Sequence, residues 1–409
     1  MTFPASAPRV FYGWIVVAAA FAVTFVGFGC AYTFSAFVPS LQHDFQASRG
    51  SVSIVFSLAG FLYFSLGVVS GPLADRWGAQ RLSMFGMLLV GAGLALASMA
   101  HSLSTVYAAY GLGVGLGIGC AYVPALGAVQ RWFVKRRGFA SGLAVSGIGV
   151  GTLVMPPLAT SLIASMGWRG AYLALGCGAA VVGIGMSWFI ANDPADKGTG
   201  PDGVPAPAGA AAGVTSGMLL REAVRSREFA LLYAACLVCS FGVFVPFVHL
   251  VPYALDHRIG QRQAAYLLGT IGVGSTLGRF FLGGLADRIG RQAFLLAMFA
   301  GMAAALSIWA ASTGFLALAG FALLFGLFYG GWVAIMPPVV TDLFGGRQVG
   351  GIIGVLYTSV AVGTLLGPAA AGYMFDVSHS YTLPILASAA AAAVAAGIAA
   401  LARRQPGAG

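Results

Sequence analysis

Apolar positions along this chain neither alternate nor mark one face of a helix. They fill runs of about 20 residues or more, parted by short clusters of charged, Gly and Pro residues, which is the pattern of membrane-crossing helices. Twelve such runs are read, near 12–37, 50–71, 82–101, 104–130, 138–165, 169–191, 228–254, 263–284, 292–312, 315–339, 349–375 and 381–402. In hydrocarbon a spanning segment must satisfy its own backbone polar groups, which a helix does and a lone strand does not. The pattern therefore predicts an all-α membrane protein of twelve transmembrane helices. The first run, Phe11 to Val38, is too long for the apolar core of a signal peptide and is read as a retained first helix.

Composition sharpens this reading. Of 409 residues 59% are hydrophobic and only 8% charged, against roughly 25% charged in an ordinary soluble domain, so a soluble enzyme with a solvated surface is excluded. The 60 Gly residues suit helices that must approach closely without a hydrophobic driving force between them. The net charge of +10 is no nucleic-acid footprint, because the 21 Lys and Arg residues lie scattered through the connections. Sixteen of them fall on the side that carries both termini; Arg49, Arg169, Arg258 and Arg262 fall on the other, and Arg279 lies inside a helix. By the positive-inside rule the chain is a multi-pass protein of the cytoplasmic (inner) membrane with both termini cytoplasmic. Five Cys residues, an odd number, all in apolar runs, argue against a disulfide framework; Cys236 and Cys239 have metal-like spacing but no acidic or His neighbours, and read as small buried residues.

The chain is also a duplication. Gly71-Pro-Leu-Ala-Asp-Arg-Trp-Gly-Ala-Gln80 returns as Gly283-Gly-Leu-Ala-Asp-Arg-Ile-Gly-Arg-Gln292, an offset of 212. The same offset pairs Asp44 with Asp256, Gly138 with Gly350, Gly142 with Gly354, and Val150-Gly-Thr-Leu153 with Val362-Gly-Thr-Leu365. Each half thus carries six helices: 1–191, a cytoplasmic linker over 192–227, and 228–409. Gly200-Pro-Asp-Gly-Val-Pro-Ala-Pro-Ala-Gly209 in that linker cannot build a packed core and is read as flexible.

The Gly-x-Leu-Ala-Asp-Arg-x-Gly loop, present once per half, resembles the hallmark loop of the major facilitator superfamily, and the likeness covers the whole chain. Arg131-Trp-Phe-Val-Lys-Arg-Arg-Gly-Phe-Ala-Ser-Gly142, Val251-Pro-Tyr-Ala-Leu-Asp256 and Gly278-Arg279 are similar, more narrowly, to segments of the monocarboxylate transporters and their bacterial relatives, the oxalate/formate antiporters. The resemblance implies two pseudo-symmetric six-helix halves that rock about a central site and expose it to each side in turn, the usual scheme for carriers built of repeats.

Arg279 is the strongest candidate for chemistry. It lies about eight residues before Asp287, roughly 12 Å inside the membrane, where an arginine is costly unless it faces a cavity or a partner. Its helical face carries Gly272, Ser275, Thr276 and Gly283, so it points into the bundle. A guanidinium fork is a bidentate carboxylate receptor; the competing role is a buried ion pair between the halves. The resemblance implies the first role, because family members use an arginine at this position for the substrate anion. Related dicarboxylate exchangers look as though they add a lysine in helix 11. Here Gly354-Val-Leu-Tyr-Thr-Ser-Val-Ala-Val-Gly363 has no basic residue, which favours one carboxylate over two.

Tyr122, in Gly115-Leu-Gly-Ile-Gly-Cys-Ala-Tyr-Val-Pro124, and Tyr329, in Phe325-Gly-Leu-Phe-Tyr-Gly-Gly-Trp332, are phenols with small neighbours. Each offers a hydroxyl to an anion and a ring as apolar wall, or simply packs at a helix contact. Tyr357, Phe28 and Tyr32 extend the set. Pro246-Phe-Val-His-Leu-Val-Pro252 sets His249 between helix-breaking prolines, and Asp256 follows near the external end. These two are the candidates for proton coupling: Asp256 balancing Arg279 through the cavity, His249 relaying the proton. The plainer roles are a solvated interface carboxylate and a side chain that satisfies freed carbonyls. Asp75, Arg76, Asp287 and Arg288, in the repeated loops, are read as gating residues, the aspartates capping a neighbouring helix and pairing with loop arginines such as Arg131 or Arg136.

These observations point to a monomeric secondary carrier for a small organic monocarboxylate such as lactate or pyruvate, coupled to protons, with the lipid bilayer as surroundings. No enzyme activity, cofactor, metal or nucleic-acid partner is implied. An oxalate/formate-type exchanger, a lipophilic efflux pump, and a carrier-like sensor that does not transport are the alternatives. Efflux fits poorly because no acid lies deep in a helix, and the sensor because both halves carry gating loops.

Overall fold

A computed structural model describes residues 11–203, 217–345 and 348–401, without the side chains of Asp75, Arg137, Asp287 and Val349. Arg9, Arg347, Arg403 and Arg404, counted above among the cations of the terminal side, lie outside the described residues. In the first half, α1 (Tyr12–Tyr32) continues through a short 3-10 turn into α2 (Val38–Phe45). Then α3 (Arg49–Ser65) and α4 (Gly67–Trp77) meet at Leu66, and α5 (Ala79–Ser98) follows. α6 (Leu103–Val106) runs through a π turn, Tyr107–Leu112, into α7 (Gly113–Trp132), and α8 covers Arg137–Ser187. In the second half, α9 (Leu220–Val224) precedes α10 (Arg227–Val243) and α11 (Val245–Asp256), which break at Phe244. α12 (Gln261–Phe281), α13 (Gly283–Ile289), α14 (Arg291–Ala310), α15 (Phe315–Phe344), α16 (Val349–Ser378) and α17 (Thr382–Leu401) complete the order.

Nine helical stretches among the described residues are apolar and long enough to cross a membrane, and the pair α3 and α4, bent by 44°, makes ten. α8 supplies one more. At 1.5 Å per residue its 51 residues measure about 75 Å, more than twice a bilayer core, and the chain turns at Gly167 (φ 72°). The twelfth is α12, whose Arg279 and neighbouring Gly, Ser and Thr residues dilute its apolar character. The twelve spans expected from the sequence are all present as helices, the fifth and sixth joined as α8 without the expected gap. We call the end of the bundle where α1 starts the near end and the opposite one the far end.

Local chemistry sets several boundaries. Ser48, Ser102 and Ser226 each accept a backbone N–H in the first turn of the helix that follows, satisfying a donor the helix cannot pair itself. In the duplicated loops the turns fall on Gly78 and Gly290, at φ 90° and 89°, a region costly for any residue with a Cβ. The 212-residue repeat therefore preserves a backbone conformation as well as a sequence.

Among the described residues the most extensive packing between the halves is that of α3 along α16 and of the first part of α8 along α12. Linker ends are docked. Asp202 accepts the backbone N–H groups of Val134 and Lys135, and Met218 donates to the Phe344 carbonyl at 2.8 Å. The stretch read as flexible thus begins with a turn held on the first half; its remainder, 204–209, lies outside the described residues.

Candidate functional site

Helices from both halves converge on one cavity at the centre of the bundle. Phe28 of α1, Phe64 of α3, Tyr122 of α7 and Ile148 of α8 wall it from the first half; Phe244, Arg279 of α12, Tyr329 and Trp332 of α15, and Tyr357 of α16 wall it from the second. Tyr32 lies over it. About 30 Å³ is open to the centre of a water-sized sphere, room for about two waters. Of the lining side chains, Arg279 is the one charged group.

Arg279 is 6% exposed. Its Nη1 donates to the Val145 carbonyl across the half interface at 3.3 Å, a long bond, while Nε and Nη2 have no hydrogen-bond partner. Its guanidinium carbon stands 5.9 Å from the centre of the Tyr329 ring. The expected small face is what brings it there: Gly272 and Thr276 lie against Gly149 and Leu153 of α8, so Arg279, on the same face, reaches the interior. No described acidic residue pairs with it, so the alternative of a buried ion pair between halves finds no partner among the described residues. A buried cation with two free donors is expensive unless an acceptor compensates it.

All five aromatic candidates gather at this point. The hydroxyls of Tyr32 and Tyr329 bond to each other at 3.1 Å across the halves, and the Tyr32 ring lies 4.5 Å from Phe247. Phe28 meets Tyr122 edge-on at 5.1 Å. Tyr32, Phe244 and Phe247 close the cavity toward the far end.

Beyond that aromatic layer stands a polar network that sequence reasoning missed. Arg49, at the start of α3, grips Asp256 at the end of α11 with two bonds of 2.7 Å. It also donates to the Tyr381 hydroxyl at 2.9 Å and lies 4.1 Å from the Phe375 ring centre. The backbone N–H groups of Arg49 and Gly50 donate to Asp376 at 3.0 and 2.9 Å, so a carboxylate from α16 caps α3. Tyr381 bonds His249 Nδ1 at 3.1 Å; His249 Nε2 stands 2.9 Å from the Pro368 carbonyl and 3.3 Å from Ser53 Oγ. Backbones touch here as well: a Cβ on Gly50 would meet Tyr373 N at 3.0 Å, and one on Gly372 would meet Gly50 Cα at 2.7 Å.

The proton candidates keep the depths expected of them, but Asp256 has a partner that was not expected. Asp256 is at the far end, while Arg279 is eighteen residues beyond Gln261 along α12, about 27 Å deeper. Asp256 balances Arg49 and not Arg279. His249 meets the Pro368 carbonyl of α16, while the Val248 carbonyl freed by Pro252 accepts the Ser35 hydroxyl at 2.9 Å, and His249 also connects to Asp256 through Tyr381 and Arg49. Of the gating candidates, Arg76 lines a near-end cavity and Arg288 is exposed. The side chains of Asp75 and Asp287 lie outside the described residues, as does any pairing of theirs. Arg131 donates to the Asn192 carbonyl at 3.0 Å. Cys236 and Cys239 are buried and free.

The duplication held the missing signal. Asp44, the mate of Asp256, pairs inside its own half with Arg169 at 2.7 Å and accepts the Trp168 indole N–H at 2.8 Å. The indole first and Arg169 second hold its carboxyl below the usual carboxylate range. The position 212 residues after Arg169 is Tyr381. With no arginine there, Asp256 takes Arg49 from the other half.

The sequence model of the Major Facilitator Superfamily matches residues 19–272 and 238–409. The chain is 30% identical to monocarboxylate transporter 12-B of Danio rerio over 91% of its own length and 83% of that protein's. It is 30% identical to human monocarboxylate transporter 11 over 94% and 82%, and 31% identical to monocarboxylate transporter 3 of Rattus norvegicus over 91% and 76%. The crystal structure of a bacterial homologue of the human lysosomal transporter Spinster, inward-facing and unoccupied, superposes with a TM-score of 0.74, covering 98% of this chain and all of that one at 16% identity. At that identity the likeness speaks for the fold.

Proposed function

The chain belongs to the major facilitator superfamily, a family of transporters and not of enzymes, and from that premise we propose that it carries a small organic monocarboxylate, of the size of lactate or pyruvate, by alternating access. One observation carries the reading: Arg279, buried in an aromatic cavity between the halves, with Nε and Nη2 unpartnered. A single carboxylate accepts both donors in the bidentate fork geometry and cancels the charge. Tyr122, Tyr329 and Tyr357 supply hydroxyls for an α-oxygen, and Phe28 and Phe64 the wall for a short alkyl group. One cation supports one carboxylate, against oxalate. The relatives' names as monocarboxylate transporters agree.

The sealed far end, with its aromatic layer and the Arg49 network, supports assigning this conformation to the inward side of the cycle, the near end being cytoplasmic. Proton coupling is proposed at that seal. A proton on Asp256 removes the charge that holds Arg49, loosening the link from α3 to α11, and the route through Tyr381 carries the change to His249.

Counterflow in proteoliposomes with labelled lactate, pyruvate, formate and oxalate tests the function. Each charge-assisted bond lost costs about 1.5–3 kcal/mol, so losing two should lower Arg279→Gln uptake by at least about 100-fold. Arg279→Lys should recover little, since a point charge lacks the fork. Lactate exchange by Arg279→Gln at the unmodified rate refutes the assignment. Asp256→Asn should lose uptake driven by an inward proton gradient and keep exchange.

A further inference from the structure

A second cavity, larger than the central one, lies away from the transport path, at the near end of the first half. It measures about 420 Å³ by the same measure that gives the central site about 30 Å³. Tyr12 of α1, Arg76 and Trp77 at the end of α4, Gln80 and Arg81 at the start of α5, and the segment Trp188–Lys197 after α8 form its wall. Sequence distance makes this a built site and no loop accident: the Tyr12 hydroxyl donates to the Phe189 carbonyl at 3.2 Å, Gln80 Nε2 donates to the Trp188 carbonyl, and Asn192 accepts the Ala79 N–H.

Charge in the wall is one-sided. Arg76, Arg81 and Lys197 face the cavity, and none forms an ion pair among the described residues. Lys197 is held over the Tyr12 ring at 4.7 Å. The one carboxylate, Asp196, is taken up by the turn before it, where it accepts the Asp193 N–H at 3.1 Å. Two indoles mark the level of the membrane: Trp77 and Trp188 are 59% and 65% exposed, with Phe189 beside them. Exposed tryptophans belong to the headgroup layer, where an apolar ring meets lipid and its N–H meets water.

We propose that this cavity binds the phosphate group of an anionic membrane lipid, the two arginines and Lys197 taking the headgroup while Trp77, Trp188 and Phe189 contact the start of the acyl chains. Three cations against one engaged carboxylate select a net negative headgroup over a zwitterionic one. Arginine forks suit phosphate oxygens, and the volume admits a glycerophosphate. A bound lipid bridges the α4–α5 loop to the segment entering the linker, and so stabilises the first half at its near end.

Thermal unfolding of the full chain in detergent tests this, with phosphatidylglycerol, phosphatidylcholine or inorganic phosphate added at equal concentration. Phosphatidylglycerol should raise the melting temperature by about 3–5 °C, as a ligand well above its dissociation constant does, and the other two should not. Arg81→Gln with Lys197→Gln should abolish the rise while leaving exchange in phosphatidylcholine vesicles unchanged. Arg81→Lys with Lys197→Arg, which keeps the charge, should retain it. A rise that persists in the glutamine double variant overturns the site. An equal rise with inorganic phosphate or phosphatidylcholine overturns the assignment to an anionic lipid.

Discussion

Replacing Arg49 with Met removes one charge and keeps most of the side-chain length, so it tests the far-end seal with little change in packing. Three contacts disappear. The bidentate pair with Asp256 joins side chains 16% and 37% exposed, so solvent screens it to about 1 kcal/mol. The bond to the Tyr381 hydroxyl and the guanidinium over Phe375 add about 0.5–1 kcal/mol each. The Asp376 cap stays, because it holds backbone N–H groups. About 2 kcal/mol is thus withdrawn from the closed far end alone, and at 1.4 kcal/mol per factor of ten the far-open population should rise about thirtyfold. Ser35→Cys reports it: Ser35 is buried at the far end and bonds the Val248 carbonyl of the other half at 2.9 Å, so it reaches water only when the seal parts. In a background without other cysteines, its reaction with a membrane-impermeant maleimide should accelerate by up to that factor in Arg49→Met. Asp256→Asn should accelerate it only about fivefold, since the contacts to Tyr381 and Phe375 survive. Equal labelling rates in Arg49→Met and the parent refute the seal.

Gly50→Val should drive α3 from α16, since even a Cβ meets backbone at about 3 Å; the Ser35→Cys reporter should again label faster, with transport of labelled lactate reduced. Tyr329→Phe removes the bond to Tyr32 and one hydroxyl from the cavity, so the lactate affinity should fall by about two- to tenfold, about 0.5–1.5 kcal/mol, with expression unchanged; equilibrium binding measures it. At Asp44 the carboxyl is held below its ordinary value, so its contribution to stability is complete above about pH 4 and is lost as pH falls through the depressed value. The melting temperature of the parent should therefore fall more between pH 5 and pH 3 than that of Asp44→Asn.

How much of this fold can be read along the chain follows from the membrane. Hydrocarbon allows a spanning chain one local solution, a helix with its own hydrogen bonds closed, so the length and apolarity of each run fix the span without knowledge of the others. A constant offset of 212 then divides the spans into two halves, and Arg279 stands out because a charge inside such a helix needs a reason. Its orientation was legible too, since small residues at three- and four-residue spacing mark the face that meets a neighbour. The partners across helices were not. Arg49 and Asp256 are 207 residues apart, and His249 and Tyr381 are 132 apart; whether such pairs meet depends on crossing angles and depths that no local pattern records. Asp44 and Asp256 make the point within one chain: as repeat mates they look alike in sequence, yet one pairs inside its half and the other across the interface. The difference lies in a third position, Arg169 or Tyr381, which folding brings beside them. The different depths of Asp256 and Arg279 were legible along the chain; that Asp256 meets Arg49 of the other half, and that Arg279 meets no described carboxylate, came only with the packing of the helices.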